Sequence, residues 1–94
     1  MAVVGLLTLE LRIADARSLK DRRQVVRALK QRLRNRFNVA VAEVEAPTSW
    51  TLATIGVAAV AGSQGTVEEI LRRVEADAAE MLGGDLAESS IELF

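Results

Sequence analysis

The sequence predicts a single α+β domain in the order βαββαβ, and three observations predict it. Residues 7–13 alternate apolar and polar with a two-residue period, which is the signature of a half-buried strand. Two later segments, 19–37 and 66–82, carry apolar residues at helical spacing. Between and after them lie short β-rich runs bounded by turn residues. Ninety-four residues support one hydrophobic core and leave no room for two domains with a linker, so residues 1–94 are read as one unit.

The first strand places Leu7, Leu9, Leu11 and Ile13 on one face and Thr8, Glu10 and Arg12 on the other. Ala14 to Arg17 bridge to Ser18, whose hydroxyl suits a helix N-cap, with Asp21 three residues on as a near capping box that also favours the positive end of the helix dipole. The helix starting near Leu19 has the apolar set Leu19, Val26, Leu29, Leu33 and Phe37, a stripe about 80° wide. Asn38 is expected to close it in the left-handed conformation. Val39 to Val44 then form a second strand, and the segment from Ala46 to Trp50, with the chain's single proline, Pro47, breaks the pattern as a loop.

Thr51 to Ala61 is a long, two-sided apolar strand that ends at Gly62 to Gly65. Ser63 or Thr66 caps a second helix with Val67, Ile70, Leu71, Val74, Ala78 and Met81 on one face, closed by Gly83 and Gly84. Leu86 to Phe94 complete the order as a short strand with Ile91 and Leu93 as its apolar residues. Two βαβ-like halves in this order give the split βαβ, ferredoxin-like sandwich: a four-stranded antiparallel sheet with both helices on one face. The opposite sheet face then lacks a cover, although the second and third strands are apolar on it in either register, so a second copy of the chain is the simplest partner for it.

Composition excludes much. Half the residues are hydrophobic, 27% are charged, and there is neither histidine nor cysteine, which removes thiol nucleophiles, imidazole bases, disulfides and Cys/His metal sites. No cofactor is expected. The apolar start lacks a basic leader and meets Glu10 early, and no run approaches the ~18 apolar residues of a membrane helix, so a cytoplasmic protein without membrane attachment is expected.

The net charge of −1 conceals a strong separation. Residues 12–36 hold ten of the twelve basic residues and only two acids, a net of +8, whereas residues 37–94 carry a net of −8. On a helical wheel with Val26 at zero, Lys30, Arg23, Arg34, Arg27 and Lys20 fall at about 40°, 60°, 80°, 100° and 120°, so five cations line one edge of the first helix. From Lys20 to Arg34 this edge runs about 21 Å, several phosphate spacings of a nucleic-acid strand. Such a stripe is either a solvated face, paired in part with acidic surface, or a contact surface for structured RNA. Arg22, at about 320°, falls inside the apolar stripe and is expected to snorkel or to pair with a carboxylate.

Other chemistries find little support. An RNA-recognition motif shares the element order but stacks bases on aromatics of its central strands, which here have none, so RNA contact is expected through phosphate and shape. The segment from Ala14 to Arg17 lacks the glycines of a phosphate cradle after the first strand, and no Gly-x-Gly-x-x-Gly or P-loop pattern occurs. Glu43 and Glu45, two apart on a strand, offer a cation or acid–base pair in principle and solvent-facing charges in the commoner case. Trp50 is either a packing residue at the rim of the core or an anchor for a partner.

The run from Ser18 to Arg23 (Ser-Leu-Lys-Asp-Arg-Arg), the run from Leu33 to Val44 (Leu-Arg-Asn-Arg-Phe-Asn-Val-Ala-Val-Ala-Glu-Val) and the lone Trp50 ahead of an apolar strand resemble the small bacterial YlxP family, over essentially the whole chain. In that family glutamate is more usual where this chain has Asp21. The resemblance implies a ferredoxin-like fold and, from gene neighbourhoods among translation genes beside ribosome-binding factor A, a role in ribosome assembly or RNA handling. It implies no activity, cofactor or catalytic residue. The expectation is therefore a non-enzymatic cytoplasmic accessory protein that binds ribosomal or other structured RNA through Lys20, Arg23, Arg27, Lys30 and Arg34. The alternative is a protein-interaction module or homodimer without a nucleic-acid role.

Overall fold

In the computed structural model, residues 1–45 and 49–94 are described. The elements are β1 (Val3–Arg12), α1 (Leu19–Arg36), β2 (Ala40–Glu43), β3 (Leu52–Ala61), α2 (Gln64–Leu82), a 3-10 turn over Gly83–Asp85, and β4 (Leu86–Leu93). The strands form one antiparallel sheet in the order β2-β3-β1-β4. This is the expected ferredoxin-like arrangement, with α1 lying over the β2 side and α2 over β1, β3 and β4.

Strand periodicity sets the two faces of the sheet. On β1, Leu7, Leu9, Leu11 and, just beyond the strand, Ile13 point into the helix layer; they meet Ile55, Val57 and Ala59 of β3 and Val41 of β2. Leu29 and Leu33 of α1 and Val67, Leu71, Val74 and Ala78 of α2 close the core from above, all at 0% exposure. Each fully buried aliphatic side chain contributes about 1.5–3 kcal/mol relative to exposure, so this interleaved layer is the principal source of stability. Gly5 belongs to it as well: a Cβ there would collide with Val67 Cγ1 and lie 2.8 Å from Leu71 Cδ1, so the absence of a side chain lets α2 approach β1.

The helix caps form by local chemistry. Ser18 Oγ accepts from the Asp21 amide at 3.1 Å and Ser63 Oγ accepts from the Thr66 amide at 3.3 Å, so Ser63 rather than Thr66 caps α2. Asp21 Oδ2 accepts from the Arg17 amide at 3.0 Å, one residue outside the ideal capping box. Gly83 ends α2 with φ of +55°.

Two expectations are corrected. Asn38 does not adopt a left-handed cap; among the described residues only Gly83 has positive φ. The chain instead leaves α1 through an extended Phe37, whose amide bonds Leu33 O at 3.0 Å, and bends at Phe37 and Asn38 before β2 starts at Ala40. Leu19 is not a core residue but is 51% exposed, because the first turn of α1 directs the buried Arg22 side chain, not Leu19, onto the sheet. The loop expected over residues 46–50 falls partly outside the described residues, at 46–48.

The sheet face away from the helices is uncovered. Val4, Val44, Leu52, Val60 and Phe94 lie on it or at its end, exposed by 42% to 72%. Between them Ala40, Ala42, Gly56 and Ala58 form a shallow floor, and Val44 leans over Gly56. Toward β4 the same face turns polar, with Glu10 opposite Glu88 and Thr8 opposite Ser90.

Candidate nucleic-acid interface

The basic residues of α1 sort into three environments, and the backbone decides which. Arg22 points toward the sheet and is buried at 5% exposure. Its Nε donates to Leu52 O at 2.8 Å and its Nη2 pairs with Glu43 Oε2, so the guanidinium fastens α1 to both β2 and β3. The sequence expectation of a carboxylate partner holds, and the partner is Glu43. That pairing removes the suggested Glu43/Glu45 acid pair: β2 ends at Glu43, whose carboxylate is engaged, and Glu45 lies exposed beyond it.

Arg32 and Arg36, at about 240° and 280° on the wheel, face α2. Arg32 Nε and Nη2 make a bidentate contact to Asp77 at 2.9 and 3.0 Å, and Arg36 Nη1 reaches the same carboxylate at 2.7 Å. The hydrogen bond from Arg32, reinforced by the charges of Arg32 and Arg36, holds the Asp77 carboxyl below its ordinary range against the opposing effect of burial. The hydrogen bond to Asp77 likewise raises Arg32. On this edge two guanidiniums share one carboxylate, so the positive charge is partly compensated within the chain.

The opposite edge is not. Lys20, Arg23, Arg27 and Lys30 have no carboxylate within ion-pair distance among the described residues. Arg34 shares their edge, and its Nη2 donates to Val41 O at 2.6 Å, a backbone acceptor that leaves the positive charge uncompensated. Of the five residues predicted to form the interface, the structure thus presents four as unpaired cations and the fifth as a cation tied to the outer side of β2.

Two adjoining hollows lie along four of them. One, about 280 Å³, lies between α1 and β2 and is lined by Leu19, Arg22, Arg23, Val26, Arg27, Lys30 and Glu43. The next, about 510 Å³, continues toward the helix C-terminus along Arg27, Lys30, Gln31, Arg34 and Asn35. Because they share Arg27 and Lys30, the two adjoin as one channel bordered by Arg23, Arg27, Lys30 and Arg34, whereas Lys20 lines neither part. The contribution of Leu19 and Glu43 to this channel was not legible in the sequence, since both depend on how α1 lies against β2.

β1 and β3 contain no aromatic residue, so the sheet offers no base-stacking platform. Trp50, in the turn before β3, is 51% exposed, and its neighbours are held by Ser49 Oγ accepting from the Thr51 amide and by Ile13 N donating to Thr51 O. Among the described residues no group of acidic side chains is arranged to hold a metal ion. Among the described residues no helix is long and apolar enough to cross a membrane.

Comparison with known proteins agrees with this architecture. Residues 4–91 match the model of a family described as a protein of unknown function, DUF503. The uncharacterized protein YlxP of Bacillus subtilis (strain 168) is 36% identical over 72 residues, covering 77% of this chain and 78% of that protein. Among solved structures, a dimeric ferredoxin-like protein of unknown function from Thermobifida fusca superposes with a TM-score of 0.57 at 13% identity, covering 99% of this chain and 90% of that one. SnoaB, a cofactor-independent oxygenase from Streptomyces nogalater, gives 0.53 at 12% identity over the same shares. At such identities these two structures share the fold.

Proposed function

This chain belongs to the DUF503 family of proteins of unknown function, and on the charge arrangement of its first helix we propose that it is a non-enzymatic cytoplasmic accessory protein that binds structured RNA, with ribosomal RNA in subunit maturation as the favoured target. The observation that carries this reading is the contrast between the two edges of α1. Arg32 and Arg36 share the carboxylate of Asp77, whereas Lys20, Arg23, Arg27 and Lys30 stand unpaired, the last three around a common hollow. Aligned like charges repel one another, and a polyanion relieves that repulsion while releasing its own counterions. The net charge of −8 over residues 37–94 favours this orientation, since it repels the same polyanion.

The test is a salt titration of binding to ribosomal RNA fragments and to small ribosomal subunits. Neutralising four phosphates predicts a log–log slope of about −3. A flat slope, or no binding at low salt, overturns the reading.

A second reading, a homodimer through the open sheet face, is favoured by the exposure of Val60 (64%), Val44 (53%) and Phe94 (72%) on that face or at its end. Contiguous apolar surface of this kind marks interfaces, and a similarly folded protein from Thermobifida fusca is dimeric. Sedimentation equilibrium of the chain and of Val60→Glu decides it: a dimer that the substitution dissociates supports this reading, and a monomer at all concentrations excludes it. The two readings use opposite sides of the molecule.

A further inference from the structure

Resting on the RNA-binding reading, we propose that the hollow between α1 and β2 receives a single unpaired nucleotide of the RNA. Its phosphate lies on Arg23, Arg27 and Lys30, its base lies against Leu19, and Glu43 accepts a hydrogen bond from the base. The argument begins with the mixed chemistry of the hollow. A surface that only tracked a duplex backbone would need cations alone, yet this one combines three unpaired cations with Leu19 and Val26 and with one carboxylate. Leu19 is half exposed and the described chain places nothing over it, so an apolar wall stands open beside the phosphate-binding groups. A nucleotide has that combination: an anionic group and a flat, largely apolar ring carrying hydrogen-bond donors at its edge.

Size and rigidity point the same way. At about 280 Å³ the hollow is near the lower end of ligand-pocket sizes, on the scale of one nucleotide. Its floor is fixed because Arg22, buried and bonded to Leu52 O and Glu43, cannot swing into the space. The bond from Arg22 uses Oε2 of Glu43; Oε1 has no partner among the described residues and is not sealed from solvent. A carboxylate acceptor there selects bases with an exocyclic amine, such as adenine N6 or cytosine N4, over uracil, which has none. The central strands β1 and β3, without aromatics, offer no competing platform to stack a base.

Fluorescence anisotropy with labelled RNA hairpins tests this. The hairpins are one fully paired, one with a single bulged adenine or cytosine, and one with a bulged uracil, with AMP and CMP as competitors. The bulged adenine or cytosine hairpin should bind about tenfold tighter than the paired one, with bulged uracil weaker than bulged adenine or cytosine. Leu19→Ser, at an exposed position where folding is undisturbed, should abolish most of that advantage and leave the salt slope unchanged. Equal affinity for paired and bulged hairpins, or AMP binding as tightly as bulged RNA, overturns the nucleotide pocket. With a steep salt slope retained, either result leaves the RNA reading standing. Absence of binding to every hairpin overturns both.

Discussion

The Arg22 guanidinium and the Glu43 carboxylate form an ion pair between α1 and the edge strand β2, with the arginine side chain only 6% exposed and the glutamate 24% exposed. A pair this enclosed has paid most of its desolvation, so removal of one partner is costly while removal of both is mild. Glu43→Ala should lower unfolding free energy by about 3–5 kcal/mol, leaving the guanidinium with Leu52 O alone. Arg22→Met combined with Glu43→Leu should recover most of that loss. Urea denaturation of the two singles and the double, taken as a thermodynamic cycle, checks it; additive losses would show that the pair is not coupled.

Asp77 makes stability depend on acid pH. Its carboxyl is held below the ordinary range, chiefly by the hydrogen bond from Arg32. A depressed folded-state value means that the stabilisation is complete above the unfolded-state value of about 3.9 and is lost as pH falls through the lower folded value. Thermal unfolding of the wild type and Asp77→Asn should therefore differ at pH 6–7 and converge as pH falls toward 2. A difference that stays constant across that interval contradicts the assignment.

The two edges of α1 should separate binding from stability. Arg23→Gln, Arg27→Gln and Lys30→Gln together remove unpaired charges, so the fold should be unaffected and the salt slope of RNA binding should shrink by about 2, at roughly 0.7 per phosphate contact for single strands. Arg32→Gln is the converse: it breaks the bidentate contact to Asp77 and should lower the melting temperature while leaving the slope intact. Equal effects of the two sets on binding would mean that only net charge matters.

Two glycines face opposite sides of the sheet and should respond differently. A Cβ at Gly5 would meet Val67 and Leu71, both fully buried and unable to yield, so Gly5→Ala should cost about 1–3 kcal/mol through overpacking. A Cβ at Gly56 would approach Val44 Cγ1 at 2.7 Å, but Val44 is 53% exposed and can rotate away. Gly56→Ala should be neutral or slightly stabilising, since alanine removes unfolded-chain freedom that glycine retains. Denaturation midpoints of the two variants provide the comparison.

Features set by neighbours in sequence were legible without the structure. Ser18 and Ser63 cap their helices because a hydroxyl at that position reaches amides only two or three residues away. Gly83 ends α2 because its φ is positive. The alternation of β1 and the apolar rows of α1 and α2 gave the core faces, and the wheel gave the free edge from Lys20 to Arg34. Leu19 and Asn38 were misread because wheel position and residue type are local quantities. Whether the first helical turn lies over the sheet, and how the chain leaves the helix for β2, are settled by where the strand must pair.

The sequence by itself determined the element order, the two faces of each element and the concentration of positive charge on α1, because each follows from periodicity or from counting. Only the tertiary structure decided which of those charges are already satisfied. Glu43 lies 21 residues from Arg22, and Asp77 lies 45 residues from Arg32. Their pairing requires β2 and α2 to be packed against α1, so helix position alone could not distinguish the edge that finds a carboxylate from the one that remains unpaired.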